Sequence, residues 1–422
     1  MSSRHLAVLL YDRHVADLEQ THGGQHRVHY RDDPGTTPLS LTMPTSGGPF
    51  SHRVVDPVLE GLLPERESAR ESMARHFDVS SRNPFALLAH IGLDCAGAVQ
   101  FCAADEIPDV LARSGSLEAL SDQDIEARLS TLRTDPGASW LAPRERWSLA
   151  GAQAKIALRR EGDAWFEATG AEPTTHIVKP GVEGFRHQAL NEHISLQTAR
   201  RAGLSAAQSR FERFGSEPAL VVERYDRRRS TEHTLVRLHQ EDLCQATGTY
   251  PGDKYESAGG PRAVQVIELL RTHSTLRDRQ RNLDAFVDAL AFNILIAAPD
   301  AHAKNYSVLL LEDVVRLAPP LRRRLRCTVR LHGPDRPPHV GDGDRRPARA
   351  CTDHPRPVVA VRPRGRARPR GSRGPGDRAR GSHPGLDVRR VRGRGRERQR
   401  RCRRPEVTDA RPDRTDLCDR RT

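Results

Sequence analysis

An α+β protein in two lobes, with an N-terminal α+β subdomain ahead of them and a disordered basic tail behind, is the fold class that the sequence predicts. Three observations carry that prediction. A hairpin signal, a Lys-bearing strand, a Glu-bearing helical segment and a further strand follow one another between residues 155 and 225, so one sheet has a helix to pack on. A long amphipathic segment then ends at Pro299, directly before a polar loop. The charge is also unevenly spread: residues 321–422 hold 32 Arg, no Lys and 12 acidic side chains, a net +20, whereas residues 1–320 hold 36 basic and 43 acidic ones, a net −7.

The elements follow in order. Residues 5–11 read as a strand, and the Gly23-Gly24 turn before the alternating stretch His26 to Tyr30 suggests a small antiparallel sheet. Leu59 to Leu63, Arg66 to Phe77 and Phe85 to Ile91 read as helices, the last opened by Asn83-Pro84. These make residues 1–105 one small mixed subdomain. Residues 115–145 carry helical Leu and Ile spacing and approach Trp147 through a polar, Pro-containing stretch. Lys155 to Arg159 and Ala164 to Ala168 flank Glu161-Gly162-Asp163 as a hairpin, and Thr175 to Lys179 is a third strand. A helix carrying Leu190, Glu192, Ile194 and Leu204 closes at Gly203, and Ala219 to Tyr225 returns to strand. Leu283, Phe286, Val287, Leu290, Ile294 and Leu295 share one helical face, and Tyr306 to Leu311 is a short apolar strand. Residues 106–320 therefore form the second folded part, and the order of its elements is that of a protein-kinase fold.

The tail from 321 to 422 lacks Phe, Tyr, Trp, Ile, Met and Asn and interleaves Arg with Pro and Gly, so it has little apolar surface to offset chain entropy. The overall pI near 10.0 thus reports one segment and not a basic body. Seven Cys occur without a CxxC pair, and no apolar run approaches a membrane span or a signal sequence. A cytoplasmic, reduced location with no membrane partner is the expectation.

Phosphoryl transfer needs cations on nucleotide phosphates, a carboxylate for the substrate hydroxyl and oxygen ligands for Mg²⁺. Asp300 and Asn305 have the D-x-x-x-x-N spacing that lets one loop supply a base and a metal-binding amide, although Asp300 as a turn cap and Asn305 as a left-handed residue is an equal reading of the pentad alone. Lys179 ends a strand and has a possible partner in Glu192; a strand Lys is more often a solvated edge residue. The turn Ser148 to Lys155 has small residues that let backbone amides approach phosphates, but it lacks the GxxxxGK pattern. Val221 to Tyr225 reads equally as a hinge or as a buried strand. The dispersed His176, His193, His239 and His302 do not share metal-ligand spacing, and neither HExxH nor G-x-S-x-G occurs, which leaves hydrolase chemistry without a motif.

Eight stretches, LLPERESAR (62–70), NPFALLAHIGLDCAGAVQF (83–101), SLAGAQAKIAL (148–158), THIVKP (175–180), VVERYDR (221–227), RLHQEDLCQATG (237–248), KYESAGGP (254–261) and FNILIAAPDAHAKNYS (292–307), resemble the HipA family of toxin serine/threonine kinases in the family's own order. The resemblance implies a two-lobed kinase-like domain with an appended N-terminal subdomain, ATP and Mg²⁺ as cofactors, and transfer to a serine of a translation component such as glutamyl-tRNA synthetase. It also implies control by a HipB-like helix-turn-helix antitoxin, through which DNA is reached. By motif, Asp300 answers to the catalytic base, Asn305 to a Mg²⁺ ligand and Lys179 to the ATP-phosphate lysine. Ala150, Gly151, Ala152, Gln153, Ala154 and Lys155 answer to the nucleotide-contacting loop, Glu223 and Tyr225 to the adenine hinge, and Ser148 to a regulatory autophosphorylation site. Pro299 before Asp300 departs from the family's usual loop.

The family continues past Leu317-Ala318-Pro319 with a segment whose Asp is the second Mg²⁺ ligand, and here the resemblance stops. It therefore implies that residues from about 320 onward come from a shifted reading frame. Lys, Ile, Asn, Phe, Tyr and Met, all missing from the tail, have AT-rich codons, and both Leu321 to Cys327 and Gly341 to Arg346 can be encoded so that the same one-nucleotide shift restores family-like segments. The alternative function is a catalytically silent kinase-like protein that binds an antitoxin and, through the basic tail, nucleic acid.

Overall fold

The computed structural model describes residues 4–135, 148–182, 184–185, 187–231, 234–298 and 300–320. The approach to Trp147, Pro299 and the Arg-rich tail lie outside the described residues. The chain opens with strands β1 (Arg4–Leu10), β2 (Arg13–Gln20) and β3 (His26–Tyr30). β2 lacks a strand signal of its own and forms because Tyr11 and Asp12 turn through left-handed backbone, at φ 53° and 58°, and return the chain along β1.

Helices α1 (His52–Leu62), α2 (Glu67–Phe77) and α3 (Pro84–Ile91) pack beside this sheet. α1 begins well before Leu59 and buries Val55, Val58, Leu59 and Leu62. α3 starts where its sequence indicates: Asn83 accepts the amide of Ala86 at 3.3 Å, and Pro84 occupies a first-turn position that needs no amide partner. β4 (Val99–Cys102) then pairs with β1, giving the order β3-β2-β1-β4.

After α4 (Ile107–Ala112), residues 115–120 form strand β5 (Gly115–Leu120) and not the helix their Leu spacing predicts. The physical reason is tertiary: β5 pairs with β7 (Ala164–Gly170) along its whole length, from Gly115 opposite Gly170 to Leu120 opposite Trp165. The helix begins only at α5 (Asp122–Thr134), where Ser121 accepts the amide of Asp124. The hairpin of β6 (Ile156–Glu161) and β7 turns at Gly162, whose φ of 59° suits glycine. β8 (His176–Pro180), α6 (Gln188–Arg201), β9 (Ser209–Phe214) and β10 (Glu217–Glu223) complete a sheet of order β5-β7-β6-β8-β10-β9. Leu204 falls beyond the end of α6, which stops ahead of a left-handed Gly203.

Short strands β11 (Arg227–Arg229) and β12 (Leu235–Arg237) pair with each other, and β13 (Gln240–Asp242) pairs with β14 (Ser307–Leu311), which pairs in turn with β15 (Val314–Leu317). Helices α7 (Ala263–His273) and α8 (Leu276–Leu295) lie between them in sequence. One apolar core runs without a break from Leu6 and Val8 of β1 to Val178 of β8 and Val221 of β10. A second joins Leu270 and Phe286 to Tyr306, Val308 and Leu310. The expected face of α8 is half right: Leu283, Phe286 and Leu290 pack on the second core, but Val287, Ile294 and Leu295 are exposed, because Asp278, Asn282, Ala289 and Asn293 share the inward side with Phe286 and Phe292.

Between the N-terminal subdomain and the larger sheet lies a buried ionic cluster. Asp94 Oδ1 accepts from Arg227 Nη2 at 2.8 Å and Arg237 Nε at 3.1 Å, and its Oδ2 accepts from Thr174 Oγ1 at 2.8 Å. Arg224, just past β10, donates to Asp226 through Nε and Nη2 and to Cys95 O through Nη2, and Asp226 Oδ2 accepts the amide of Gly97 at 2.7 Å. Burial opposes ionisation of Asp94, but the surrounding guanidinium groups outweigh it and hold the carboxyl far below the usual carboxylate range. Asp94→Asn should therefore leave buried cations uncompensated and cost about 3–5 kcal/mol. Urea unfolding of wild type and variant, with the midpoint lowered at unchanged slope, checks this.

Candidate active site

Residues of β8, β10, β13 and β14, the 149–155 loop and the 302–305 turn surround a cleft of about 910 Å³, its open mouth included. Lys179 stands on β8 with its side chain turned to α6, where Nζ donates to Glu192 Oε1 at 2.9 Å. Both side chains are nearly inaccessible, at 6% and 0%, so Lys179 is a buried ion-paired residue and not a solvated edge lysine. Gln188 Nε2 donates to the second oxygen of Glu192 at 3.2 Å, which holds the carboxylate in place.

Ala150, Gly151 and Lys155 line the cleft, whereas Ala152, Gln153 and Ala154 do not. Gly151 has φ 105°, a conformation that a side chain would strain. Lys155 curls back, donating from Nζ to Ala150 O at 3.0 Å and Gly151 O at 3.3 Å, and Gln153 anchors the loop to Pro180 O at 3.3 Å. Ser148 is fully buried, with Oγ donating to Leu62 O at 2.7 Å and its amide to Asp94 O at 3.1 Å.

The two hinge candidates separate. Tyr225 lines the cleft and donates its hydroxyl to Gln240 Oε1 at 2.7 Å, and burial raises its phenol above the usual range. Glu223 is exposed and outside the lining, with its amide paired to Gln208 O at 2.9 Å. In the catalytic-loop candidate, Ala303–Asn305 make a tight 3-10 turn, and the buried Asn305 donates from Nδ2 to the main-chain oxygen of Asp300. Asn305 lines the cleft, and Asp300 lies beside it with Oδ1 3.3 Å from Nε2 of the lining residue His302.

Sequence reasoning missed several lining residues. Lys304 donates to Asp242 Oδ2 at 2.6 Å; burial opposes its charge, but Asp242 beside it raises the ammonium above its ordinary range. Asp242 is itself fixed, since its Oδ1 accepts the amides of Cys244 at 2.8 Å and Gln245 at 3.0 Å. Lys304 stands within the D-x-x-x-x-N pentad and Asp242 within RLHQEDLCQATG, so both belong to family-like stretches, but no local pattern joins them. Glu65, from the N-terminal subdomain, also lines the cleft; burial raises its carboxyl, while the Lys254 and Lys304 ammonium groups outweigh this and lower it.

The arrangement offers ammonium groups at Lys155, Lys179 and Lys304 and apolar walls at Leu149, Ile177 and Val222. It suits a ligand that joins an aromatic base to a polyanion. Among the described residues, no group of three or more His, Cys, Asp or Glu is placed to hold a metal ion, and no helix is long and apolar enough to cross a membrane.

Comparisons with known proteins agree with one another. Residues 6–102 match the HipA N-terminal domain, and residues 147–320 match the HipA-like C-terminal domain. Y4mE of Sinorhizobium fredii, a protein named as a kinase, is 39% identical over 296 residues, which cover 68% of this chain and 68% of that protein. The serine/threonine-protein kinase toxin HipA of Shewanella oneidensis is 34% identical over 292 residues, 66% of this chain and 65% of the toxin. A solved complex of HipA, HipB and operator DNA from Shewanella oneidensis MR-1 contains a similar chain, with a TM-score of 0.63, 29% identity and 76% of each chain covered.

Strand alternation along β13 yields a test. Gln240 and Asp242 face the cleft, and Glu241 between them turns toward the N-terminal subdomain, where its Oε1 accepts the amide of Leu41 at 2.8 Å. Burial pushes the Glu241 carboxyl up to about 8 from an ordinary 4.5. The folded state thus holds a proton that the unfolded state has lost between these values. The contribution of Glu241 is complete below about pH 4.5 and is lost as pH rises toward about 8. Glu241→Gln should flatten that part of the stability profile and be the more stable form at pH 8 by at least about 1 kcal/mol. Urea midpoints of both proteins at pH 5, 6.5 and 8 measure the difference.

Proposed function

The chain belongs to the HipA family, and on that premise we propose that it is a serine/threonine kinase whose cleft takes ATP and whose catalytic loop directs the γ-phosphoryl group to a serine. The observation that carries this reading is the buried Lys179–Glu192 pair on the same cleft as the Asn305 turn. Three ammonium groups and an apolar wall fit a nucleoside triphosphate.

Magnesium fits less completely. Asn305 offers an amide oxygen, but the described residues contain no acidic cluster to complete a metal site. When bound, Mg²⁺ neutralises phosphate charge. Lys179 would hold phosphate oxygens, the turn at Gly151 would offer them backbone amides, and Ile177, Val222 and Tyr225 would supply the wall for an aromatic base. Asp300 orients the substrate hydroxyl and takes its proton as the new O–P bond forms and the bond from the γ-phosphorus to the β,γ-bridging oxygen breaks, with ADP as the leaving group.

The expected protein substrate is a translation component of the aminoacyl-tRNA synthetase class, the expected partner a HipB-like antitoxin that brings the chain to DNA, and the place of action the cytoplasm. Similarity to the Shewanella chain seen with HipB and operator DNA supports the partner. Ser148 is the proposed regulatory phosphosite. Its burial supports this, because a phosphate on Oγ cannot keep the bond to Leu62 O, so modification and the docked loop exclude each other. A shifted frame from about residue 320 is part of the proposal: the family match ends at residue 320, and the following segment is the Arg-rich one. Sequencing the encoding DNA around codon 320 tests it, and a frame that confirms the Arg-rich segment overturns it.

Two variants test the chemistry. Lys179→Ala should weaken ATP binding at least about tenfold by calorimetry, since it removes a charge-assisted contact to phosphate. Asp300→Asn should slow single-turnover phosphoryl transfer by about 10²-fold or more and relieve any growth arrest on expression. Equal ATP affinity in the first or equal transfer in the second would remove the assignment.

A further inference from the structure

Glu65 of the stretch LLPERESAR and Lys254 and Tyr255 of the stretch KYESAGGP have no role in the function proposed above, and they meet beside the catalytic loop. The carboxylate of Glu65 is ion-paired with the ammonium of Lys254, and both side chains are largely withdrawn from water. The next residue, Tyr255, donates its hydroxyl to Asp300 Oδ1 at 2.7 Å. Its ring stands edge-on to His302, with centroids 4.9 Å apart and planes at 85°. Lys254 also accepts the amide of Ala303 through its main-chain oxygen at 3.3 Å. The segment therefore grips the catalytic loop by its backbone and by its carboxylate. At the other end, the amide of Glu65 donates to Gly151 O at 3.5 Å, and Arg66 Nε donates to Ala152 O at 3.1 Å. Glu65 thus touches the nucleotide loop through its backbone and the Asp300 side of the cleft through its side chain.

We propose that Tyr255 is a positioning residue for Asp300, and that the Glu65–Lys254 pair makes this positioning depend on the N-terminal subdomain and the nucleotide loop docked against it. The proposal rests on the kinase reading. Asp300 has a part-exposed side chain, and a carboxylate near water rotates unless something holds it. A phenol hydrogen bond to Oδ1 sets that rotation and so decides which oxygen faces an incoming hydroxyl. Lys254 Nζ lies 5.7 Å from the Tyr255 ring centroid, so the ion pair with Glu65 also steadies the ring. Withdrawal of the nucleotide loop removes the backbone partner of Glu65 and loosens the strut from its far end.

The test uses the full chain with Tyr255→Phe, which keeps the ring and removes only the hydroxyl, and Glu65→Gln, which keeps size and removes charge. Tyr255→Phe should slow single-turnover transfer about tenfold, leave the ATP dissociation constant within about twofold, and speed amide hydrogen exchange across residues 300–305 about tenfold. Glu65→Gln should give the same pattern, and the double variant should be no worse than Tyr255→Phe, because both act through one strut. Unchanged exchange across 300–305 in Tyr255→Phe, or additive effects in the double variant, overturns the proposal. ATP affinity that falls in step with the rate overturns it as well, since Tyr255 then serves nucleotide binding. An Asp300→Asn variant as fast as wild type removes the kinase reading instead; a wild-type chain without transfer is the outcome expected of the shifted frame, which takes away the second Mg²⁺ ligand, and the exchange measurement still decides the strut.

Discussion

Everything in the folded part leans on the ionic cluster around Asp94. Arg224 and Arg227 have side chains only 1% accessible, and a guanidinium that deep is tolerated only when its donors meet carboxylates and carbonyls. Asp94 and the carbonyls of Cys95 and Gly97, all in the loop after α3, supply them. The loop belongs to the N-terminal subdomain and the arginines to the strand exit at the back of the cleft, so neither can be laid down without the other. The unbroken apolar core from β1 to β10 works in the same direction, but apolar packing tolerates small shifts that a buried charge cluster does not.

The cleft inherits its geometry from this joint. Tyr225 lies between Arg224 and Asp226 in sequence, so the residue that meets Gln240 is held on both sides by cluster members. From there β13 delivers Asp242 to Lys304, and β8 delivers Lys179 to Glu192. Each of these two cations is paired with a carboxylate, so neither ammonium is buried uncompensated. The N-terminal subdomain is part of this wall, contributing Glu65 beside Lys304 and a seat for Ser148 and Gly151 at Leu62 and Pro64.

The α7–α8 side of the second core is less complete. Val287, Ile294 and Leu295 show one side of α8 to solvent, an apolar strip on a helix whose other side, with Phe286, is buried.

Much of this protein is legible in its sequence alone. Asn83-Pro84 opens a helix, Glu161-Gly162-Asp163 turns a hairpin, and Lys179 ends a strand followed by a helix bearing Glu192, because turns, caps and periodicity are properties of neighbouring residues. The spacing of Asp300 and Asn305 is legible for the same reason. What only the tertiary structure decides depends on residues far apart in the chain. Gly115–Leu120 becomes a strand because β7 offers it a ladder, α8 packs Leu283, Phe286 and Leu290 inward but leaves Val287, Ile294 and Leu295 in solvent, and Glu223 faces solvent while Tyr225 enters the cleft. The pairing of Lys304 with Asp242, of Lys254 with Glu65 and of Tyr255 with Asp300 likewise has no local signature. A single sequence carries the charges of each pair but not the distance between them, and that distance exists only once the two cores and the Asp94 cluster have formed.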